Sequence, residues 1–189
     1  MKKRAVFFDR DGTINKHIPY LREAADFELI PMVAESIKML NITDFKVVVV
    51  TNQSGIGRGY FGHKDLRIIN EKMQKDLSNY NSWIDGLYCC PHIPEENCIC
   101  RKPKNGLLIQ ACDEMNLDLN SSFLIGDRET DIVAGAISGC RTVLVLTGYG
   151  ETESKKISQW LHKPDFVAKD LFEAVTWILS DNFVEKSAK

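Results

Sequence analysis

Short runs of consecutive apolar residues alternate along the chain with longer stretches in which apolar positions recur every three or four residues. Ala5-Val6-Phe7-Phe8, Lys46 to Thr51 (KVVVVT) and Phe123 to Gly126 (FLIG) are apolar nearly throughout and rich in β-branched or aromatic residues, the pattern of strands buried on both faces. Trp83 to Cys89 and Thr142 to Leu146 read as two further strands. Helical spacing falls between them. It places Val33, Ile37 and Leu40 on one face after Pro31, and Leu66, Ile69, Met73 and Leu77 on one face of His63 to Asn79. Leu108, Cys112 and Met115 point inward from Asn105 to Asn116, and Ile132, Val133, Ala136 and Ile137 form a further stripe. Asp170, with Glu173 three residues on, predicts a capped last helix carrying Leu171, Ala174, Val175 and Ile178. Ile14 to Ile30 has no clean period and is expected to leave the first strand as a loop or flap containing His17, Pro19 and Tyr20.

Strands alternating with helices predict an α/β fold: a parallel sheet covered by helices on both faces. Ligands of such sheets bind beyond the carboxyl ends of the strands. The polar residues that follow each apolar run are therefore the candidates: Asp9 and Asp11, Thr51, and Asp127 with Asp131. Asp9 and Asp11 lie two residues apart on a turn that Gly12 permits, and two acids brought to one apolar strand end repel each other unless a cation lies between them. With Lys102 the set holds carboxylates for a metal, a hydroxyl and an ammonium, an inventory for phosphoryl transfer. Taken singly, each also reads as a strand end, a surface lysine or an acidic helix start. Their coincidence at four places selects the chemistry.

The chain has 189 residues, 44% hydrophobic and 26% charged, with a formal charge of -2. It is expected to form one domain over residues 1–180, with residues 181–189 a flexible tail, and to act as a monomer. The charge argues against nucleic acid or an acidic membrane surface as a partner. MKKRAVFF offers only four apolar residues before Asp9, too few for a signal-peptide core or a membrane span, so a cytoplasmic location is expected. Of six cysteines, four fall between Cys89 and Cys100 beside a histidine, which favours metal binding in a reducing compartment over disulfides. Cys90, His92, Cys98 and Cys100 suit a closed tetrahedral, hence structural, Zn²⁺ site that would stiffen its loop and hold Arg101 and Lys102 in place. Cys89, Cys112 and Cys140 are expected in the core.

DRDGT at Asp9 to Thr13, TNQSG at Thr51 to Gly55, RKPK at Arg101 to Lys104 and GDRETD at Gly126 to Asp131 resemble the four motifs of the haloacid dehalogenase superfamily phosphatases, in that family's order. The resemblance implies a three-layer Rossmann-like haloacid dehalogenase fold and a Mg²⁺-dependent phosphatase working through an aspartyl phosphate. Asp9 would be the nucleophile and Asp11 the general acid and base. Thr51 and Lys102 would hold the transferred phosphate. Mg²⁺ would be held by Asp9, the Asp11 backbone carbonyl and Asp127, with Asp131 orienting Lys102 or a metal-bound water. Phe61 to Asp85 fits a single helix, too short for the large cap domain that many of these phosphatases carry, so specificity falls to small loops.

Within the superfamily, TNQSGIGRG and the CPH…CxC loop resemble the heptose bisphosphate phosphatases, which remove the C7 phosphate of a 1,7-bisphosphate in lipopolysaccharide and related glycan synthesis. The five-residue gap from His92 to Cys98, running into CRKPK, resembles the histidinol-phosphate phosphatases instead, and that substrate stands as the alternative. His17, Tyr20, Asn52, Gln53, Ser54, Arg58, Arg101 and Arg128 are the expected contacts to a small sugar phosphate, Arg101 to the far phosphate of a bisphosphate. A zinc-stabilised binding module without catalysis is disfavoured because Asp9, Asp11 and Lys102 are all present.

Overall fold

The computed structural model describes residues 2–187, and the side chains of residues 2–180. Six strands, β1 (Ala5–Phe8), β2 (Lys46–Asn52), β3 (Gly86–Cys90), β4 (Phe123–Gly126), β5 (Arg141–Val145) and β6 (Phe166–Ala168), form one sheet in the order β3-β2-β1-β4-β5-β6. Every pairing is parallel. Among the described residues seven α-helices accompany them: α1 (Val33–Asn41), α2 (Ser54–Gly57), α3 (His63–Ser78), α4 (Gly106–Met115), α5 (Glu129–Ile137), α6 (Gly150–Ser154) and α7 (Leu171–Ser187).

The two-residue period of the strands divides the core. Val6, Phe8, Val47, Val49 and Ile125 pack against Ile37 of α1, Ile69 and Met73 of α3, and Ala174 and Ile178 of α7. Their neighbours Ala5, Phe7, Val48, Val50 and Leu124 pack on the opposite face against Leu107, Leu108 and Ala111 of α4 and Ala134 of α5. Strands buried on both sides need apolar residues at every position, which is why β1, β2 and β4 lack polar alternation. The three-layer expectation is met.

The strand order also locates the site. From β1 the chain winds outward through β2 and β3, then returns to the other side of β1 for β4, β5 and β6. The crevice beyond the carboxyl ends of β1 and β4 is the topological switch point where such sheets bind ligands. Asp9 and Asp127 are the first residues past those two ends.

Several elements differ from the periodicity. β3 begins at Gly86 rather than Trp83, because Trp83 is half-exposed and its backbone N–H and C=O are taken by the Asn41 side chain. β6 is only three residues long and only Ala168 in it is fully buried, too brief for a sequence signal. α5 faces the sheet with Ile132, Ala134 and Gly135, while Ile137 is exposed. A Cβ at Gly135 would meet Thr142 Cγ2 at 2.6 Å, so the small residues set this close packing, which hydrophobic spacing does not reveal. On α4, Leu107, Leu108 and Ala111 are buried and Cys112 and Met115 only half-buried. The Asp170 cap is as expected: its Oδ1 accepts from Glu173 N at 2.9 Å, and Glu173 Oε2 accepts from Lys169 N. α7 runs on through Ser187, past the point where the tail was expected, and Ala188 and Lys189 lie outside the described residues. No helix among the described residues is long and apolar enough to cross a membrane.

Candidate active site

At the switch point the side chains form a charged floor. The Lys102 ammonium lies 2.9 Å from Asp9 Oδ1 and 2.7 Å from Asp131 Oδ1 and donates to the Val50 carbonyl at 2.8 Å. All three of its protons are thereby used. Burial works against the Lys102 charge, but Asp131 and Asp9 outweigh it and hold the ammonium above the usual lysine range. Its backbone is fixed as well. The Asn52 side chain accepts from Lys102 N at 3.1 Å and donates to Lys102 O at 3.0 Å, clamping the peptide from the end of β2.

Carboxylate oxygens of Asp9, Asp127 and Asp131 lie within 4.8 Å of one another. Burial pushes Asp9 up to about 6, Lys102 opposing and Asp131 and Asp11 reinforcing. Asp127 is pushed up to about 8 by burial and then by Asp9 and Asp131. One Asp127 oxygen accepts from Tyr149 N at 2.8 Å, whereas Oδ1 is buried without a hydrogen-bond partner. Crowded, buried and partly orphaned carboxylate oxygens fit a hard divalent cation. Both Asp131 oxygens are engaged, by Lys102 and by Arg128 N at 3.1 Å, which leaves Asp9 and Asp127 as the carboxylates free to ligate. Gly12 makes the approach possible: its φ is +89°, and a Cβ there would meet Asp127 Oδ2 at 2.2 Å.

Asp11 faces away from this cluster. Its oxygens accept from Arg10 Nη2 at 2.9 and 3.1 Å, from Asn15 Nδ2 at 3.0 Å and from Gln53 Nε2 at 2.7 Å. Burial alone would raise its pKa, but Arg10 and the Asn15 and Gln53 donors hold it below the usual range. Gln53 Nε2 also donates to the buried Thr51 hydroxyl at 2.9 Å, linking the ends of β1 and β2. Arg10 is fully buried, and nothing in the sequence around DRDGT distinguishes it from a solvated turn residue.

Above the floor lies a cavity of about 330 Å³. Asp9, Asp11, Lys102 and Asp131 line its bottom, with Asn52, Gln53, Ser54, His17, Tyr20, Arg101 and Arg128 around it. Of the expected substrate contacts, Arg58 is not among the lining residues. It caps the end of α2 and is exposed, because the short helix turns the NQSGIG segment back before reaching it. Asn52 lines the cavity with both ends of its amide already spent on Lys102. Thr130 and Tyr149 also line the cavity: Thr130 lies within the GDRETD motif but is hidden among its acids, and Tyr149 sits past β5 in no motif or charged cluster. The His17 ring nitrogens are buried without partners, and burial holds its pKa below the ordinary value.

Beside the cavity, Cys90, His92, Cys98 and Cys100 converge as expected. Cys90 Sγ lies 3.5 Å from Cys98 Sγ and 3.6 Å from His92 Nδ1, and Cys100 Sγ lies 3.4 Å from Cys98 Sγ and 3.3 Å from His92 Nδ1. Zn–S bonds of about 2.3 Å arranged tetrahedrally imply edges of about 3.8 Å, close to these separations. The cluster is tied to the active site by Gln53 N donating to Cys90 O at 2.7 Å and by Arg101 Nη1 donating to His92 O at 3.3 Å. Cys140 is buried, and Cys89 and Cys112 are half-buried.

A carboxylate at the switch point, a buried lysine bridging two acids and a cation-fitted cluster define a class: a phosphoryl-transfer enzyme built on a parallel α/β sheet. A family model described as HAD-hyrolase-like matches residues 99–174. The chain is 39% identical over 176 residues to the D-glycero-beta-D-manno-heptose-1,7-bisphosphate 7-phosphatase of Helicobacter pylori (strain J99), covering 93% of this chain and 97% of that one. To the D-glycero-alpha-D-manno-heptose-1,7-bisphosphate 7-phosphatase of Photorhabdus laumondii it is 35% identical over 160 residues, 80% and 87% of the two chains. The crystal structure of a D,D-heptose 1,7-bisphosphate phosphatase from B. bronchiseptica, complexed with magnesium and phosphate, matches with a TM-score of 0.87 and 30% identity, covering 94% of this chain and 99% of that one. The chain belongs to this family of haloacid dehalogenase-like phosphatases, and is accordingly an enzyme, a phosphoric monoester hydrolase.

Proposed function

We propose that the chain, as a single-domain cytoplasmic monomer with no nucleic-acid or membrane partner, removes the C7 phosphate of a D-glycero-D-manno-heptose 1,7-bisphosphate. The observation that carries this reading is the presence of two phosphate-fitted places in one cavity: Lys102 with the cation-fitted carboxylates at the floor, and Arg101 and Arg128 at the rim. A substrate with two phosphates meets both places. Histidinol phosphate, the alternative, presents an ammonium where the second phosphate would be, and two rim arginines repel it.

In this reading an Asp9 oxygen attacks phosphorus, the bond to the sugar C7 oxygen breaks, and that oxygen takes a proton from Asp11. Water then attacks the phosphoaspartate and gives its proton to Asp11, releasing phosphate and the Asp9 carboxylate. Before substrate enters, Arg10, Asn15 and Gln53 hold Asp11 ionised. The incoming phosphate charge raises its proton affinity, which readies it as an acid. As Asp9 turns to phosphorus, Lys102 exchanges its Asp9 contact for a non-bridging oxygen while Asp131 and the Val50 carbonyl keep it in place, and the Thr51 hydroxyl donates there too as charge shifts. Asp9, Asp127 and the Asp11 carbonyl would hold Mg²⁺, which when bound neutralises phosphate charge and aligns the reacting oxygens. The Cys90, His92, Cys98 and Cys100 cluster would hold Zn²⁺ structurally and keep Arg101 and Lys102 at their stations.

The test is Asp9→Asn, an isosteric change. Acid-quenched wild-type enzyme is expected to carry phosphate from substrate on the protein and the variant none, with turnover lost. Residual activity above about a hundredth of wild type removes Asp9 as nucleophile.

A further inference from the structure

The segment after β5 is stitched to the active site at three successive residues. Thr147 Oγ1 donates to Gly12 O at 2.7 Å. Gly148, at φ +58°, lies so close that a Cβ would meet Asp127 Oδ2 at 2.1 Å and Gly12 Cα at 2.6 Å. Tyr149 N donates to Asp127 Oδ2 at 2.8 Å. The Tyr149 ring is therefore projected from a fixed backbone into the wall of the cavity. Two expected substrate contacts rest on it. The Arg128 guanidinium lies 3.8 Å from the ring centroid, and the His17 ring meets it edge-on at 4.5 Å and 65°.

Among the described residues no ion pair holds the Arg128 side chain. An exposed arginine without a carboxylate partner samples many rotamers, and stacking on an aromatic face is what can fix the plane of its fork. His17 is in the same position, with both ring nitrogens buried and unpaired. We propose that Tyr149 is a positioning residue for substrate selection: its ring holds Arg128 and His17 against the cavity so that they meet the phosphate that is not cleaved and the sugar that carries it. Preorganisation of this kind contributes to binding, because the substrate need not order the two side chains itself. This inference rests on the bisphosphate reading above.

The experiment compares kcat/KM for the heptose 1,7-bisphosphate and for the corresponding 7-monophosphate, both with Mg²⁺, in wild type, Tyr149→Leu, Tyr149→Phe, Arg128→Ala and the double variant Tyr149→Leu/Arg128→Ala. Tyr149→Leu is expected to raise KM for the bisphosphate about tenfold with little change in kcat, and to lose most of the preference over the monophosphate. Tyr149→Phe, which keeps the ring, is expected to restore that preference. Adding Tyr149→Leu to Arg128→Ala should cost clearly less than making it in wild type, the remainder being the share that passes through His17. A loss through the Tyr149 backbone and Asp127 would instead lower kcat for both substrates alike and change the Mg²⁺ requirement. That result, or additive losses in the double variant, overturns the positioning role while leaving the bisphosphate reading intact. A wild-type enzyme with no preference for the bisphosphate overturns both.

Discussion

Asp127→Asn should make the metal-free protein more stable while making the enzyme inactive. Asp127 has carboxylate neighbours within 4.8 Å and an unpartnered buried oxygen, so its charge is tolerated for the sake of a cation. At an effective dielectric of about 20, two unit charges 4.8 Å apart repel by about 3.5 kcal/mol. Lys102 contacts both Asp9 and Asp131 and offsets part of this, leaving a penalty on the order of 2 kcal/mol. For a chain of this size that corresponds to about 4–8 °C in Tm. The sign depends on pH. Asp127 is pushed up to about 8 in the folded state, against about 3.9 in an unfolded chain, so the folded protein binds this proton more tightly. The stability that the proton contributes is present at low pH and is lost as pH rises through about 8. Asparagine keeps the acceptor for Tyr149 N and removes the charge at every pH. Thermal unfolding in chelator should therefore show the variant above wild type at about pH 8.5, with the gap narrowing toward about pH 6. Mg²⁺ should stabilise wild type more than the variant. A variant less stable than wild type in chelator at the higher pH, or an equal Mg²⁺ effect on both, would refute the reasoning.

Two further outcomes follow from other parts of the site. Cys98→Ser removes one corner of the Cys90, His92, Cys98 and Cys100 cluster. Metal analysis should find zinc lost and kcat reduced, because Arg101 and Lys102 directly follow Cys100, while the sheet core stays folded; undiminished zinc contradicts the ligand assignment. Arg101→Ala removes a rim cation that the His92 carbonyl holds in place, so kcat/KM for a bisphosphate should fall about tenfold or more, with a smaller change for a monophosphate. An unchanged bisphosphate value would end its role at the far phosphate.

The floor of the site was legible because its chemistry sits directly after strands whose apolar runs identify themselves. Asp9 and Asp127 directly follow β1 and β4, Thr51 stands at the carboxyl end of β2, and the strand order brings them together. The cysteine and histidine cluster was legible for a different reason, since its four side chains are packed into eleven residues of one loop. What escaped depends on side chains meeting across the fold. Tyr149 is an isolated aromatic after β5, and only the stitching of residues 147–149 to Gly12 and Asp127 gives it a place. Arg10 reads as a solvated turn residue until burial forces it onto Asp11. Arg58 was misleading for the opposite reason: a glycine-rich segment with an arginine suggests an anion grip, but α2 leaves that arginine in solvent. The sheet-facing side of α5 was hidden because close approach of small residues, not hydrophobicity, sets it.

The most direct test of the account is phosphate release with Mg²⁺ present, measured as kcat/KM for both anomers of D-glycero-D-manno-heptose 1,7-bisphosphate and for histidinol phosphate. A cavity with a cation-fitted floor and two arginines at its rim predicts a preference of about a hundredfold or more for a heptose bisphosphate, about 2.7 kcal/mol of transition-state binding. A preference for histidinol phosphate, or no release from either bisphosphate, would contradict it.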